Sequence, residues 1–151
     1  MQTNEKQPTQ DERWMRRALT EAQMAYDRGE VPVGAIVVAN NQLIASAHNM
    51  TETLNDVTAH AEMQAITAAA NALGGKYLVG CTLYVTLEPC LMCAGALSWA
   101  QIGRIDVGAK DEKRGFSQSA PSALHPKTTY VAGVLEDECR EIIQRFFKEK
   151  R

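Results

Sequence analysis

The chain has 151 residues, which suits one domain and is short for two. Hydrophobic residues make up 45% of the sequence and charged residues 23%, which excludes a disordered chain, a fibrous repeat and a coiled coil. The net charge at pH 7 is −2, so binding to a nucleic acid would require a local cluster of basic side chains. No apolar stretch reaches the roughly 18 residues of a membrane span, and residues 1–11 lack the apolar segment of a secretory signal. We therefore expect a cytoplasmic protein without membrane association.

Hydrophobic periodicity and turn residues predict nine elements in the order α-β-β-α-β-α-β-β-α. Residues 1–10 are polar and are predicted to form a flexible tail, and residues 11–151 a single domain. The first helix is expected to begin at Asp11 and to stop at Gly29. The other elements are expected at residues 33–39, 42–48, 59–73, 82–87, 89–100, 104–109, 128–134 and 137–148, with an aperiodic loop at 110–127. This alternation predicts an α/β fold, a three-layer α/β/α sandwich around a mixed five-stranded sheet.

The four cysteines fall into two groups. Cys90 and Cys93 form a C-x-x-C pair, which indicates either a metal site or, as the competing interpretation, a thioredoxin-type redox pair. Cys81 and Cys139 have no partner at ligand spacing and are expected to be buried, inert thiols.

Cys90, Cys93 and His60 each lie at the predicted start of a helix. Because a helix N-terminus carries free N–H groups and a partial positive charge, it favours the thiolate, which is the form that binds metals. Residues three apart project from the same side of a helical turn, so the two sulfurs can meet one cation. Two thiolates and one imidazole suit zinc, and a set of three protein ligands with one open position is a catalytic arrangement.

Glu62 follows His60 by two residues, which on an ideal helix separates their directions by about 200°. Both can reach one metal only if the metal lies beyond the helix end, near its axis. Under that condition Glu62 would lie beside the metal without binding it and could accept a proton from a metal-activated water. A lone His-x-Glu is otherwise typical of a surface helix pair.

These residues resemble the cytidine deaminase-like superfamily, whose signature combines His-x-Glu with Pro-Cys-x-x-Cys. Within it the sequence is similar to the bacterial tRNA adenosine deaminases in five segments, which together extend over nearly the whole chain from Arg13. The segments are residues 30–35 (EVPVGA), 58–62 (TAHAE), 82–95 (TLYVTLEPCLMCAG), 102–105 (IGRI) and the terminal Phe146-Phe147 pair with flanking basic residues.

The resemblance implies one zinc per subunit, bound by His60, Cys90 and Cys93, with Glu62 as the group that shuttles protons. It also implies a homodimer and hydrolysis of the wobble adenosine of a tRNA anticodon stem-loop to inosine, with release of ammonia. The region of residues 11–151 is accordingly expected to be a zinc deaminase domain.

The resemblance further places Asn49 against the substrate base, with Val33 and Ala61 approaching it through backbone groups or packing. Asn49 suits this role because an amide both donates and accepts hydrogen bonds, although a turn residue at the end of a strand is the alternative. Ile142, Ile143, Phe146 and Phe147 are first interpreted as a core stripe. Because both phenylalanines cannot be buried equally, one of them, Phe147, is expected to stack on a nucleotide.

Affinity for RNA must come from local charge. The candidates are Lys110, Lys113 and Arg114 in the predicted loop and Arg145, Lys148, Lys150 and Arg151 at the C-terminus, although such runs are usually a solvated face. Two rival functions remain open. The first is a deaminase of a free nucleobase or nucleoside of the guanine or cytosine type, and the second is a non-catalytic zinc or RNA-binding module, against which Glu62 argues.

Overall fold

The computed structural model describes residues 7–150. The predicted tail at residues 1–10 falls mostly on residues 1–6, which lie outside the described residues. Helix α1 begins at Gln10 instead of Asp11, because Thr9 and Glu12 form a reciprocal capping box at its N-terminus. The other elements are β1 (Gly34–Ala39), β2 (Gln42–His48), α2 (Ala61–Leu73), β3 (Cys81–Leu87), α3 (Leu91–Trp99), β4 (Arg104–Ala109), α4 (Phe116–Ser119), β5 (Thr129–Ala132) and α5 (Glu136–Glu149), with α1 ending at Asp27.

The five strands form one sheet in the order β2-β1-β3-β4-β5. Strand β1 runs antiparallel to both β2 and β3, whereas β3, β4 and β5 run parallel to one another. The hairpin between β1 and β2 turns through Asn40 and Asn41, which both have positive φ, as a two-residue type I′ turn requires. The sheet is therefore mixed and five-stranded, as predicted.

Side chains alternate between the two faces of the sheet. Ala35 and Val37 of β1 pack in a core with α2 and α3, while Ile36 and Val38 pack in a second core with α1 and α5. Helices thus cover both faces, and the predicted three-layer α/β/α sandwich is confirmed.

One edge of this sheet gathers the chain segments of interest. Since β3 and β4 are parallel, their carboxyl ends lie together, with Leu87 paired to Ala109. The antiparallel hairpin brings the start of β1 and the end of β2 to this edge, with Gly34 paired to His48. Helices α2 and α3 consequently begin there.

Most predicted helices and strands begin or end one or two residues away from the observed bounds, and two further differences concern the second half of the chain. The loop expected at residues 110–127 contains the short helix α4, and β5 spans four residues where seven were predicted. Both differences lie where tertiary contacts decide the conformation: Phe116 is buried against the ring of Tyr130 at a centroid distance of 5.4 Å. Within residues 7–150, none of the helices has the length and apolar character that crossing a bilayer requires.

Candidate active site

The structure brings His60, Cys90 and Cys93 together at the shared sheet edge. His60 is the N-cap of α2 and Cys90 the N-cap of α3, while Cys93 lies in the first turn of α3. The Nδ1 atom of His60 is 3.6 Å from the Cys90 sulfur and 3.5 Å from the Cys93 sulfur. All three donor atoms lie within 4.8 Å of one another, and no further His, Cys, Asp or Glu joins them within residues 7–150.

These distances fit a tetrahedral zinc ion. Zinc bonds of about 2.3 Å to sulfur and about 2.05 Å to nitrogen, at a tetrahedral angle, place the two donors about 3.6 Å apart. Two soft thiolates with one imidazole are also the donor chemistry that zinc prefers. The three side chains can therefore hold zinc and leave a fourth position for a water molecule or substrate, as the sequence predicts. The metal site also accounts for His60, whose Nδ1 atom lies within 3.6 Å of both sulfurs, whereas a redox pair requires no third donor at that distance.

The two thiols differ in acidity. A hydrogen bond from the Cys93 thiol, together with the N–H groups of Met92 and Cys93 and the nearby His60, lowers the pKa of Cys90 to about 5, although burial opposes this shift. The same contact with Cys90, together with burial, raises the pKa of Cys93. A cation between the sulfurs would take the place of the shared proton and favour two thiolates.

Glu62 is buried in the first turn of α2, beside this group. Because His60 has an extended conformation as the N-cap (φ −70°, ψ 155°), it lies outside the helix, which allows both residues to face the space beyond the helix end. Burial raises the pKa of Glu62 to about 7 and the charge on Cys90 adds to the rise, while hydrogen bonds from its own N–H and from the Cys93 thiol oppose it. Glu62 thus lies beside the three donors without joining them.

A cleft of about 1250 Å³ opens above the three donors and is lined by all four residues that were expected to bind substrate. Asn49 is buried, and its amide donates to the Val31 carbonyl at 3.3 Å and accepts from the Thr51 N–H at 3.3 Å. An amide retains a second donor and a second acceptor site beyond such turn contacts. Ala61 is fully buried and Val33 half-buried, whereas Phe147 on α5 is exposed at the outer wall.

Basic side chains surround the mouth of the cleft. They come from the segment after β4 and from α5, and comprise Lys110, Lys113, Arg114, Arg140, Lys148 and Lys150. Four carboxylates line the same cleft. Glu62 and Glu88 are buried, so within residues 7–150 only Asp111 and Glu112 offset the positive charge at its surface. Arg145, also a candidate for RNA binding, does not line the cleft; its guanidinium lies over the Tyr26 ring at 4.8 Å and pairs with Glu141 at 3.6 Å. Arg140 does line the cleft, while its guanidinium pairs with Glu136 at 2.9 Å. Arg151 lies outside the described residues.

The sequence interpretation missed Arg140 and Gln144 and placed Ile143 in the core stripe, whereas all three line the cleft with Phe147. Their spacing of three and four residues marks one face of α5, so counting back from Phe147 could have found them. It also assigned no role to Glu88, a buried carboxylate within the quoted TLEPC segment. By contrast, Cys81 and Cys139 are buried, and burial raises the pKa of both thiols, as expected of inert cysteines.

The chain is similar to known deaminases. The family model of the cytidine and deoxycytidylate deaminase zinc-binding region matches residues 8–109. A tRNA-specific adenosine deaminase of Bacillus subtilis (strain 168) is 46% identical over 148 residues, which cover 95% of this chain and 92% of that protein.

Two solved structures extend the comparison. A tRNA:A34 deaminase, from a study of A-to-I editing at the wobble position of transfer RNA, has a TM-score of 0.81 and 46% identity over 86% of this chain and 98% of its own. A guanine deaminase from Bacillus subtilis has a TM-score of 0.63 and 40% identity over 66% of this chain and 64% of its own. On the strength of the matched region and these relatives, the chain belongs to the cytidine and deoxycytidylate deaminase family of zinc-binding enzymes.

Proposed function

We propose that this protein hydrolyses the wobble adenosine of a tRNA anticodon stem-loop to inosine and releases ammonia. The observation that carries the proposal is the single cleft in which a zinc-type donor set and Glu62 lie at the bottom and six basic side chains lie at the mouth. The similarity to tRNA-specific adenosine deaminases over nearly the whole chain supports it. We also propose that the enzyme acts in the cytoplasm, where such a tRNA substrate would be met.

The chain's own residues divide the chemistry between them. His60, Cys90 and Cys93 would hold one zinc per subunit, which when bound supplies a water molecule of lowered pKa. Glu62 would hold the proton given up by this water and deliver it to the ring nitrogen beside C6 of adenine as the water oxygen bonds to C6. It would then carry the second proton of that oxygen to the amino group, so that the C6–N bond breaks, ammonia leaves and the C6 carbonyl of inosine remains. Since Glu62 is buried in the first turn of α2, its carboxyl group is kept from bulk water.

The base would be held by the walls next to Glu62. Asn49 would bond the edge of the ring through the donor and acceptor sites that its turn contacts leave free. Val33 and Ala61 line the cleft on the same side and would pack against the base. Phe147 would stack on a neighbouring nucleotide at the outer wall.

The dimensions and charge of the cleft favour an RNA over a free base. A pocket for a small molecule has a volume of roughly 300–1000 Å³, and this cleft is larger and open. The net charge of −2 would not attract a polyanion, so the basic mouth must provide the attraction for phosphates. An anticodon loop presents unpaired bases, which lowers the cost of placing one base in the site.

We further propose that the protein forms a homodimer through α3. Leu91, Gly95 and Trp99 lie on one stripe of this helix, and the Trp99 side chain is 84% exposed. An exposed apolar stripe of this kind is typical of an interface. Light scattering of the wild type and of Trp99→Glu tests the proposal, with a dimer expected for the first and a monomer for the second; a monomeric wild type contradicts it.

Activity on defined substrates tests the proposed reaction. Purified protein loaded with zinc is incubated with an anticodon stem-loop carrying adenosine at the wobble position, and separately with adenosine, guanine and cytidine, while ammonia and inosine are measured. We expect turnover of the stem-loop alone, lowered roughly 10²- to 10⁴-fold in Glu62→Gln. A matched stem-loop with guanosine at the wobble position is the control. Release of ammonia from guanine without activity on the stem-loop would replace the proposal by the free-base alternative.

A further inference from the structure

We infer that Glu88 is a positioning residue that fixes the basic segment 110–117 against the metal centre, so that RNA phosphates and the reacting base are engaged together. This inference rests on the proposed function for its kinetic consequences. The positioning itself can be tested without any substrate.

Glu88 lies between the last residue of β3 and the Pro89-Cys90 pair. Its side chain is buried, and its backbone N–H donates to the Ala109 carbonyl at the end of β4 at 2.8 Å. The residue is therefore fixed on the chain segment that leads into the metal site. A buried carboxylate requires hydrogen-bond donors, because leaving it unpaired in the interior is costly.

The basic segment provides these donors from both of its ends. The Oε1 atom accepts from the Asp111 N–H at 3.1 Å, and the Oε2 atom accepts from the Ser117 N–H at 3.0 Å and the Ser117 hydroxyl at 2.5 Å. Lys113 and Arg114, which line the mouth of the cleft, lie between these two anchors. The Glu88 carboxylate therefore joins the two ends of this loop through hydrogen bonds, and the exposed side chains of Lys113 and Arg114 lie between those ends.

Gly115 allows this close approach. A Cβ atom at position 115 would lie 2.4 Å from the carboxyl carbon of Glu88 and 2.5 Å from its Oε2 atom. The segment also forms an isolated bridge between Gly115 and Cys90, and the Phe116 N–H donates to the Pro89 carbonyl at 2.9 Å. The loop is therefore packed directly on the chain that carries a metal donor, with the Glu88 carboxylate inside it.

Glu88 is among the residues that line the cleft, but it would act through this loop and not on the substrate, because its carboxylate is buried and both oxygens already accept hydrogen bonds from the loop. Holding the loop in place before RNA arrives reduces the ordering cost of binding. The expected signature is therefore a change in KM with little change in kcat.

Glu30 offers a matched control under a different loop, that of residues 51–55, next to the cleft-lining residue Val31. It is equally buried, and its carboxylate accepts from the Glu52 N–H at 3.0 Å, the Thr53 N–H at 2.7 Å and the Thr53 hydroxyl at 2.6 Å. Replacing either glutamate by glutamine keeps the shape and turns an acceptor oxygen into a donor that faces other donors. The two variants thus make the same chemical change under different loops.

Hydrogen exchange followed by mass spectrometry gives the first readout, on zinc-loaded protein without substrate. We expect Glu88→Gln to speed amide exchange about tenfold or more in residues 111–117 and to leave residues 51–55 unchanged, with the reverse for Glu30→Gln. Unchanged exchange in 111–117 would overturn the inference, and so would loss of zinc from Glu88→Gln, which would assign the residue to the metal centre. If Glu88→Gln does not fold, Ser117→Ala removes only the hydroxyl hydrogen bond at one end of the segment, keeps the backbone one, and must still speed exchange in residues 111–117.

A double-mutant cycle gives the second readout. We expect Glu88→Gln to raise KM for the stem-loop about tenfold with kcat within about twofold, and to have less than a twofold effect in a Lys113→Ala/Arg114→Ala background. Additive effects on KM would show that Glu88 acts by another route and would overturn the inference. Failure of the wild type to deaminate the stem-loop would refute the proposed function, whereas the exchange experiment would still decide the positioning role.

Discussion

Phe146 and Phe147 are adjacent in α5, and the structure predicts that replacing them affects different properties, mainly stability for Phe146 and mainly substrate binding for Phe147. Phe146 is 6% exposed and packs edge-on against Tyr26, with ring centroids 5.8 Å apart. Phe147 is 45% exposed and lines the cleft. Phe146→Ala should therefore reduce stability, whereas Phe147→Ala should mainly weaken substrate binding.

The expected magnitudes follow from burial. Full truncation of a buried phenylalanine costs roughly 3–5 kcal/mol, and we expect about 3 kcal/mol for Phe146 because the end of a helix can relax into the space. About half of the Phe147 surface is buried, so Phe147→Ala should lower the free energy of unfolding by about 1.5 kcal/mol. Stacking of a base on an aromatic ring contributes about 1–3 kcal/mol, so Phe147→Ala should raise KM for the stem-loop about tenfold.

Urea denaturation of both variants measures the first effect, and steady-state kinetics on the stem-loop measure the second. The two phenylalanines serve as controls for each other, because they lie on the same helix and undergo the same chemical change. If Phe147→Ala destabilises the protein more than Phe146→Ala, or leaves KM for the stem-loop unchanged, then the assignment of Phe147 to the substrate wall is wrong.

Three further predictions concern the core, the proton carrier and pH. Gly34→Ala should cost at least about 3 kcal/mol in urea denaturation, because the new Cβ would lie 2.0 Å from the Ala18 carbonyl oxygen, whereas Gly80→Ala, with open space around it, should stay within about 0.5 kcal/mol. Glu62→Gln should retain zinc, measured by elemental analysis, but lower kcat roughly 10²- to 10⁴-fold; wild-type turnover would contradict its role. Burial would raise the pKa of Glu30, but hydrogen bonds from Thr53 and the Glu52 N–H outweigh it and lower the pKa below 4.5. Glu30 therefore stabilises the fold above pH 4.5, and the advantage of wild type over Glu30→Gln should shrink as the pH falls through the folded pKa in acid titrations of unfolding; a constant difference would contradict this.

The metal donors could be predicted from the sequence because their geometry is mostly local. Cys90 and Cys93 share one helical turn, and His60 caps a second helix, so short-range spacing and helix-start signals define each half of the group. Only the contact between His60 and the two cysteines depends on the tertiary fold. In the structure β2 and β3 both run antiparallel to β1, so their carboxyl ends, which lead into α2 and α3, lie at one edge of the sheet.

The mouth of the cleft could be predicted only in part. Lys113 and Arg114 were recognised as basic, but nothing in their periodicity showed that a carboxylate more than twenty residues earlier anchors their loop. The apolar stripe on α5 does not show by itself which of its residues face the core. Packing of Phe146 against Tyr26 settles this, and it brings Arg140 to the cleft and Arg145 over the Tyr26 ring. Long-range contacts of this kind leave no signal in local spacing.

This division between local and long-range determinants coincides with a division of function along the chain. The region shared with the deaminase family model ends at residue 109, the last residue of β4, and the basic mouth begins at Lys110. Residues before this point supply the metal donors and Glu62, and so determine that an amine can be hydrolysed. Residues after it supply most of the charge and the aromatic wall proposed to bind the rest of the RNA, whereas Asn49, Val33 and Ala61, proposed to hold the base itself, precede it. Glu88 connects these two regions, because it lies before residue 109 and its carboxylate accepts hydrogen bonds from Asp111 and Ser117 after it. Substrate preference in this fold should therefore respond to changes in segment 110–117 and in α5 while the metal centre remains intact.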